Sequence, residues 1–462
     1  MATAKPITPK KGHPPGLYLL FLTEMWERFS YYGMRALLTL YLTKTALEGG
    51  LGIEEESATL IYGYFTGFVY LTPIIGGWLA DNYLGQRKAI LIGGVLMMFG
   101  QFSLAATPQL GVWSTWLGLF LIIIGNGFFK PNISTIVGDL YEQGDPRRDS
   151  AFTIFYMGIN LGALLAPLLC GYFAEDLFAE KGADGTILKY AFQYGFLAAG
   201  IGMLLGQIMF NLLAQKYLGD LGKYPSASLK EKDSKGADIP EKAMTKEEKD
   251  RVAVILTLTI FTIFFWAGFE QAGSSLTLYT DKFIDREIAM FDWTIPTSWF
   301  QSVNPLFIVL LGIPIASFWS FLSSKNKDLS IPVKMALGMV LLGVGFFFMV
   351  GASQEYAATG QKAALMWLIA TYFFHTVGEL CLSPIGLSMV TRLAPLRYAS
   401  MLMGVWFLAP FVAQIAGGYI ASYVEKLGAF TIFLSIAGFS ILAGVILFAI
   451  SRKLVEMMHG RG

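Results

Sequence analysis

Residues 17–43 read LYLLFLTEMWERFSYYGMRALLTLYLT. The run is long enough to cross a bilayer, since about 20 helical residues span the hydrocarbon. Yet Glu24, Glu27, Arg28 and Arg35 lie inside it. A charge at mid-membrane costs ~2.5–3.5 kcal/mol on insertion scales, so it normally faces a partner or a water-filled cavity. Positions 24, 27, 28, 31 and 35 follow i, i+3, i+4 spacing and share one helix face. That stripe presents Glu24, Glu27, Arg28, Tyr31 and Arg35, with Tyr32 beside it, while Phe21, Leu22, Leu37 and Leu38 suit lipid or packing. Burial disfavours a bare carboxylate and a neighbouring guanidinium favours it. Such opposed pulls make the span-1 carboxylates candidate proton sites near neutral pH, and the guanidinium is a bidentate partner for a carboxylate ligand.

The rest of the chain continues the pattern. Of 462 residues, 55% are hydrophobic and 15% charged, with mean hydropathy +0.55. That excludes an ordinary soluble domain. Helical spans are expected at about 17–43, 58–80, 89–107, 115–138, 151–174, 190–214, 251–279, 300–322, 331–352, 364–391, 399–424 and 428–452, because lipid-facing backbone must satisfy its own polar groups. Residues 215–250, rich in Lys with interleaved Asp and Glu, read as a solvated linker with a short surface helix near 241–251. They divide the chain into an N-terminal bundle, 1–214, and a C-terminal bundle, 251–462. The polar N-terminus, with Lys5, Lys10 and Lys11, lacks the pattern of a cleavable signal. Cys170 and Cys381 read as small buried packing residues, with no metal or disulfide spacing.

With both termini placed in the cytoplasm, the inside segments carry 24 Lys/Arg and the outside loops 7. That is a clear positive-inside signal. Inside the membrane, span 4 adds Lys130, span 7 Glu270 and span 10 Glu379. Charged spans thus recur as 1, 4, 7 and 10, as if four three-helix units each lent their first helix to a shared cavity. This is the nested repeat of major-facilitator-type transporters, with the substrate near the midplane. By helical rise, Arg35 and Glu270 each lie about 7 Å outward of their span centres, Lys130 about 5 Å inward and Glu379 about 2 Å inward. Arg35–Glu270 and Lys130–Glu379 are therefore candidate cross-half ion pairs and gates. The alternative is that the charges only hold helices in register.

The stretch from Glu24 to Arg35 resembles the ExxERFxYYGxR opening of the proton-dependent oligopeptide transporters, a branch of the major facilitator superfamily. GGWLADNYLGQRKAI (76–90), GNGFFKPNIS (125–134), FYMGINLGALLAP (155–167), FWAGFEQAGSS (265–275), FQSVNPLFI (300–308) and GELCLSPIGLS (378–388) resemble that family's later motifs in order. The resemblance implies an all-α membrane fold of twelve helices in two six-helix bundles. It implies proton-coupled symport of di- and tripeptides by alternating access across the cell inner membrane, with no enzyme activity. No cofactor beyond the proton, no nucleic acid and a working monomer are expected. Glu24, Glu27 and Arg28 would form the coupling cluster, with Glu270 and Glu379 also candidate proton sites. Arg28, Tyr32 and Lys130 would lie near the peptide carboxylate, and Asn160, Asn304 and Glu379 near its amino group. Arg35–Glu270 and Lys130–Glu379 would be the salt bridges. Tyr31, Tyr70, Trp266 and Trp406 would line side-chain pockets.

Blander roles stand beside these. Asn160 among small residues reads equally as interhelical glue, and Asn304 before Pro305 as a partner for freed backbone. Tyr70, Trp266 and Trp406 read equally as packing. Mammalian members carry a span-2 histidine where this chain has Gly63, and residues 215–250 are too short and charged for the extra helix pair of many bacterial members. His375, four residues before Glu379, is expected to tune that carboxylate or to hydrogen-bond locally. Gly and Pro in GELCLSPIG would let span 10 bend. Three other function classes remain open: a family relative carrying nitrate or another small anion or zwitterion, a channel, and an intramembrane enzyme. Opposite charges spread across two halves argue against the channel. The lack of metal-ligand spacing or an activated nucleophile argues against the enzyme.

Overall fold

The computed structural model describes residues 12–142, 145, 147–183, 185–225, 244–325, 327–395 and 398–460. Among the described residues, twelve long helices run between two sides of the molecule: α1 (Pro15–Thr43), α2 (Glu55–Leu79), α3 (Gln86–Ala105), α4 (Trp113–Asp139), α5 (Arg147–Tyr172), α6 (Phe192–Leu218), α7 (Lys246–Phe269), α8 (Val303–Ser324), α9 (Ile331–Thr359), α10 (Leu365–Leu393), α11 (Ala399–Ser422) and α12 (Ala429–Met457). Eleven are long and apolar enough to cross a membrane. The exception is α1, in which every stretch of spanning length holds at least three charged residues. The side from which α1 starts and at which α12 ends is here called the terminal side, and the opposite one the far side.

Two separate hydrophobic cores underlie the fold, one built from residues between Leu17 and Leu218, the other from residues between Val254 and Met458. Within each, helices approach closely where side chains vanish. A Cβ on Gly93 of α3 would stand 2.5 Å from the Gly125 carbonyl of α4. Small residues take such positions because helices in lipid associate by close packing rather than by a hydrophobic drive. The same device joins the two halves. A Cβ on Gly63 of α2 would stand 2.8 Å from the Cα of Gly418 on α11, so the α2–α11 crossing admits no side chain at Gly63.

Two local features differ from expectation. The span expected at 251–279 is not one helix. α7 ends at Phe269, turns through a 3-10 segment at Glu270–Gly273 and resumes over Ser275–Phe283. The surface helix expected near 241–251 is instead the first turns of α7, capped by a reciprocal pair in which Thr245 and Glu248 satisfy each other's backbone N–H. Linker residues 226–243 lie outside the described residues, as do Lys5, Lys10 and Lys11. Cys170 and Cys381 are buried and free. α10 runs unbroken through Gly378. On the far side, two short antiparallel ribbons, β1 (Glu180–Lys181) with β2 (Ile187–Lys189) and β3 (Glu287–Ile288) with β4 (Trp293–Thr294), cap the α5–α6 and α7–α8 connections.

Candidate functional site: a charged cavity between two bundles

The α1 stripe turns inward as its spacing requires. Glu24, Glu27, Arg28, Tyr31 and Arg35 are all buried. Arg28 is held by two carboxylates of its own helix. Its Nε lies 3.1 Å from Glu24 Oε1, and it donates to both oxygens of Glu27, one of those bonds being 2.9 Å. Its guanidinium also stands 5.6 Å from the Tyr31 ring centre. Glu27 accepts a third bond, 3.1 Å, from Asn126 Nδ2 of α4. Three donors thus converge on one buried carboxylate, and one buried guanidinium is shared between two acids.

Two turns further on, Arg35 pairs with Glu270, at the break in α7. It also donates through Nε to the Tyr62 hydroxyl at 2.6 Å. The 3-10 turn brings Glu270 to α1 and leaves the Gly273 carbonyl to accept from Thr39 Oγ1 at 2.6 Å. The ion pair expected from depth is therefore formed, and it bridges the two halves.

The other expected pair is not. No ion pair joins Lys130 to Glu379 in this structure. Lys130 Nζ sits 4.4 Å from the Tyr70 ring centre, and Glu379 accepts from Asn304 Nδ2 at 2.9 Å, while Asn304 also reaches Thr376 at 3.0 Å. The reason is geometric. A cavity of about 820 Å³ opens between the halves, lined by Lys130 of α4 and Leu382 of α10 from opposite walls. Tyr70, Trp266, Glu270 and Trp406 line it too, and it reaches Asp139 and Arg148, both exposed at the terminal side. His375 makes its own contacts on a neighbouring helix. It packs on Phe346 of α9, ring centres 4.6 Å apart, and bonds the Leu342 backbone. Asn160 is buried and its amide donates to the Tyr156 carbonyl one turn back.

The far side is shut where the terminal side is open. Lys44 pairs with Asp281 at 2.6 Å, Lys426 with Glu56 at 2.7 Å, and Lys282 with Glu55. Each joins one half to the other. The family model for the POT family matches residues 87–218 and 223–434. The chain belongs to the POT family. Among POT relatives, it is 34% identical to the peptide transporter YePEPT of Yersinia enterocolitica over 90% of this chain and 88% of that one. It is 33% identical to a di-/tripeptide transporter of Lactococcus lactis subsp. cremoris over 97% of each. A crystal structure of the peptide transporter POT in complex with sulfate superposes with TM-score 0.86 at 35% identity, covering 98% of both chains. The architecture is the major facilitator fold that these POT structures share.

Within this POT chain, Asn126 and Tyr62 touch the charged stripe yet went unnoticed in the sequence. Asn126 carried a legible signal: it precedes Lys130 by four residues and so faces the same way. Tyr62 carried none, since the helix crossing alone brings it to Arg35.

Proposed function

We propose that this chain is a proton-coupled symporter that imports di- and tripeptides across the cytoplasmic membrane by alternating access. The observation that carries the reading is one cavity lined from both halves, with the cation Lys130 from the first and the carboxylate Glu270 from the second. Arg28 of the first half and Glu379 of the second are buried and do not line it. A peptide is a zwitterion, and separated charges of both signs orient it from its two ends. Aromatic walls from Tyr70, Trp266 and Trp406 accept varied side chains without fitted contacts.

In this scheme the terminal side is the cytoplasm, as the basic excess there favours, and the conformation is inward-open. A proton arriving on Glu27 removes one of the two acids that hold Arg28. The guanidinium then turns to the peptide carboxylate, while Glu379, steadied by Asn304, receives the amino group with Asn160 nearby. Tyr31 and Tyr32 flank the Arg28 position. Residues 1–214 and 251–462 rock as two bodies about the linker. Arg35–Glu270 serves as the outer gate, and Lys130–Glu379 forms only when the terminal side closes. The twelve helices all cross the inner membrane, both termini are cytoplasmic, and one copy of the chain suffices.

The test is uptake of dialanine into proteoliposomes with and without an inward proton gradient. Accumulation above the external concentration only with the gradient is the expected result. Dialanine that fails to compete for the transported substrate would remove the peptide reading, and uptake indifferent to the gradient would remove the coupling.

A further inference from the structure

α8 is the least enclosed of the apolar spans. Only 6% of its most apolar stretch is buried, against 33–61% for the others. Asn304 ties it to α10 of its own half, and its first turn, a 3-10 segment at Thr297–Ser302, is held as well by the opposite half. Ser302 Oγ donates to the Leu164 carbonyl of α5 at 2.7 Å, and Trp299 Nε1 to the Leu168 carbonyl at 2.9 Å. The seam continues to Glu175, in the π-helical turn Phe173–Leu177 that follows α5. Its two oxygens accept the backbone N–H groups of Thr297 at 2.7 Å and Ser298 at 3.0 Å. Glu175 is 2% exposed, and among the described residues it forms no ion pair.

A carboxylate at the first N–H groups of a helix is a strong cap, because those donors have no partner of their own and the helix dipole favours the negative charge. Here the cap comes from the other bundle. The fit is close: a Cβ on Gly171 would fall 1.9 Å from Ser298 Oγ. The ion pairs that shut the far side elsewhere join the loop ends of α1 and α2 to α7 and α11. Along α5–α8 the charge comes from Glu175 and from its neighbour Asp176, whose Oδ2 accepts from Trp293 Nε1 at 2.7 Å.

We propose that Glu175 is the latch of the far side between α5 and α8: its carboxylate leaves the N–H groups of Thr297 and Ser298 each time that side opens. The inference rests on the alternating-access reading. It adds a second gate, on the seam opposite Arg35–Glu270, that works by a carboxylate on backbone rather than by an ion pair. π-Turns often mark such functional positions.

The experiment places spin labels at Leu47 and Met290, both highly exposed on far-side loops of opposite halves, in a full-length chain carrying Cys170→Ala and Cys381→Ala. Distances are measured in lipid nanodiscs by double electron–electron resonance. The expected result is a shift of about tenfold or more from the short to the long distance in Glu175→Ala, since two charge-assisted bonds are lost from the closed form alone. A smaller shift in the same direction is expected for the isosteric Glu175→Gln. Thermal unfolding by intrinsic fluorescence checks that each variant is folded. Folded variants with the parent's distance distribution overturn the latch. A parent that shows one distance at every pH and peptide concentration overturns alternating access itself, so the two failures are distinguishable.

Discussion

Replacing Glu27 by Gln separates peptide binding from its proton. In the structure Arg28 donates two hydrogen bonds to Glu27 and stands 3.1 Å from Glu24 in an ion pair. Bonds to charged groups are worth about 1.5–3 kcal/mol and neutral ones about 0.5–1.5 kcal/mol. Neutralising Glu27 therefore loosens its grip on Arg28 by ~2 kcal/mol, a factor of about 30. A peptide carboxylate competes with Glu27 for that guanidinium, so Glu27→Gln tightens dialanine binding by about ten- to thirtyfold at alkaline pH. Transport moves the other way. Each coupled proton and each unit of pH gradient supplies about 1.36 kcal/mol, or tenfold accumulation. The variant loses that step while equilibrium exchange of labelled for unlabelled peptide persists. Calorimetric titration across pH and proteoliposome uptake at a one-unit gradient measure the two halves of the claim. Gradient-driven accumulation equal to the parent's would refute it.

The neighbouring residues give further outcomes. Asn126→Ala removes the α4 donor from Glu27, so the charged cluster loses about one hydrogen bond and gradient-driven uptake falls by up to about tenfold; uptake equal to the parent's would leave Asn126 a packing residue. Glu379→Gln weakens recognition of a free amino terminus by about tenfold in KM while an N-acetylated dipeptide, which lacks that charge, is unaffected, and competition uptake with both ligands decides it. Arg35→Gln and Glu270→Gln, each stripping one member of a buried pair, together cost less than their sum by at least ~1 kcal/mol in a double-mutant cycle on exchange rate, strict additivity counting against the gate. Gly63→Ala drives a methyl toward the Gly418 Cα and destabilises the protein by about 1–3 kcal/mol, read as a lower unfolding temperature in detergent.

Helix positions were legible because a bilayer permits few alternatives. Expected and observed ends differ mostly by a few residues, since span length is set by hydrocarbon thickness rather than by tertiary detail. The Arg35–Glu270 pair was legible for a related reason: depth along a membrane helix is nearly a function of sequence number. The same reasoning failed for Lys130 and Glu379. Depth fixes whether two residues can meet, not whether the halves are tilted so that they do. The break at Glu270 was hidden because the 3-10 turn follows from tertiary contacts, with Thr39 capturing the Gly273 carbonyl, and no proline announces it. Glu175 was hidden more thoroughly. It lies at the expected end of its span, where acidic residues are ordinary, and its partners are backbone N–H groups, which carry no side-chain signature.

The two states of the cavity need different chemistry at its two ends, and the contacts reflect this. The far side is closed by groups that water solvates well once separated: Lys44 with Asp281, Arg35 with Glu270, Glu175 with two N–H groups. Such contacts are strong only while dry, because hydration replaces most of their energy when they part. Opening then costs a few kcal/mol rather than tens, which a proton and a peptide can supply by binding one state better than the other. The α2–α11 crossing is of another kind. Gly63 against Gly418 is backbone on backbone, its partners cannot be hydrated away in lipid, and a glycine pair lets two helices roll without a side chain to climb over. The crossing also carries polar contacts, Thr66 Oγ1 donating to Gln414 Oε1 at 2.9 Å and the Tyr64 and Tyr419 hydroxyls meeting at 2.8 Å, so a rocking carrier has separable polar contacts and a side-chain-free packing point side by side. A substitution that adds a methyl at the crossing therefore acts on both states alike, whereas one at Arg35 or Glu175 acts on the closed far side alone.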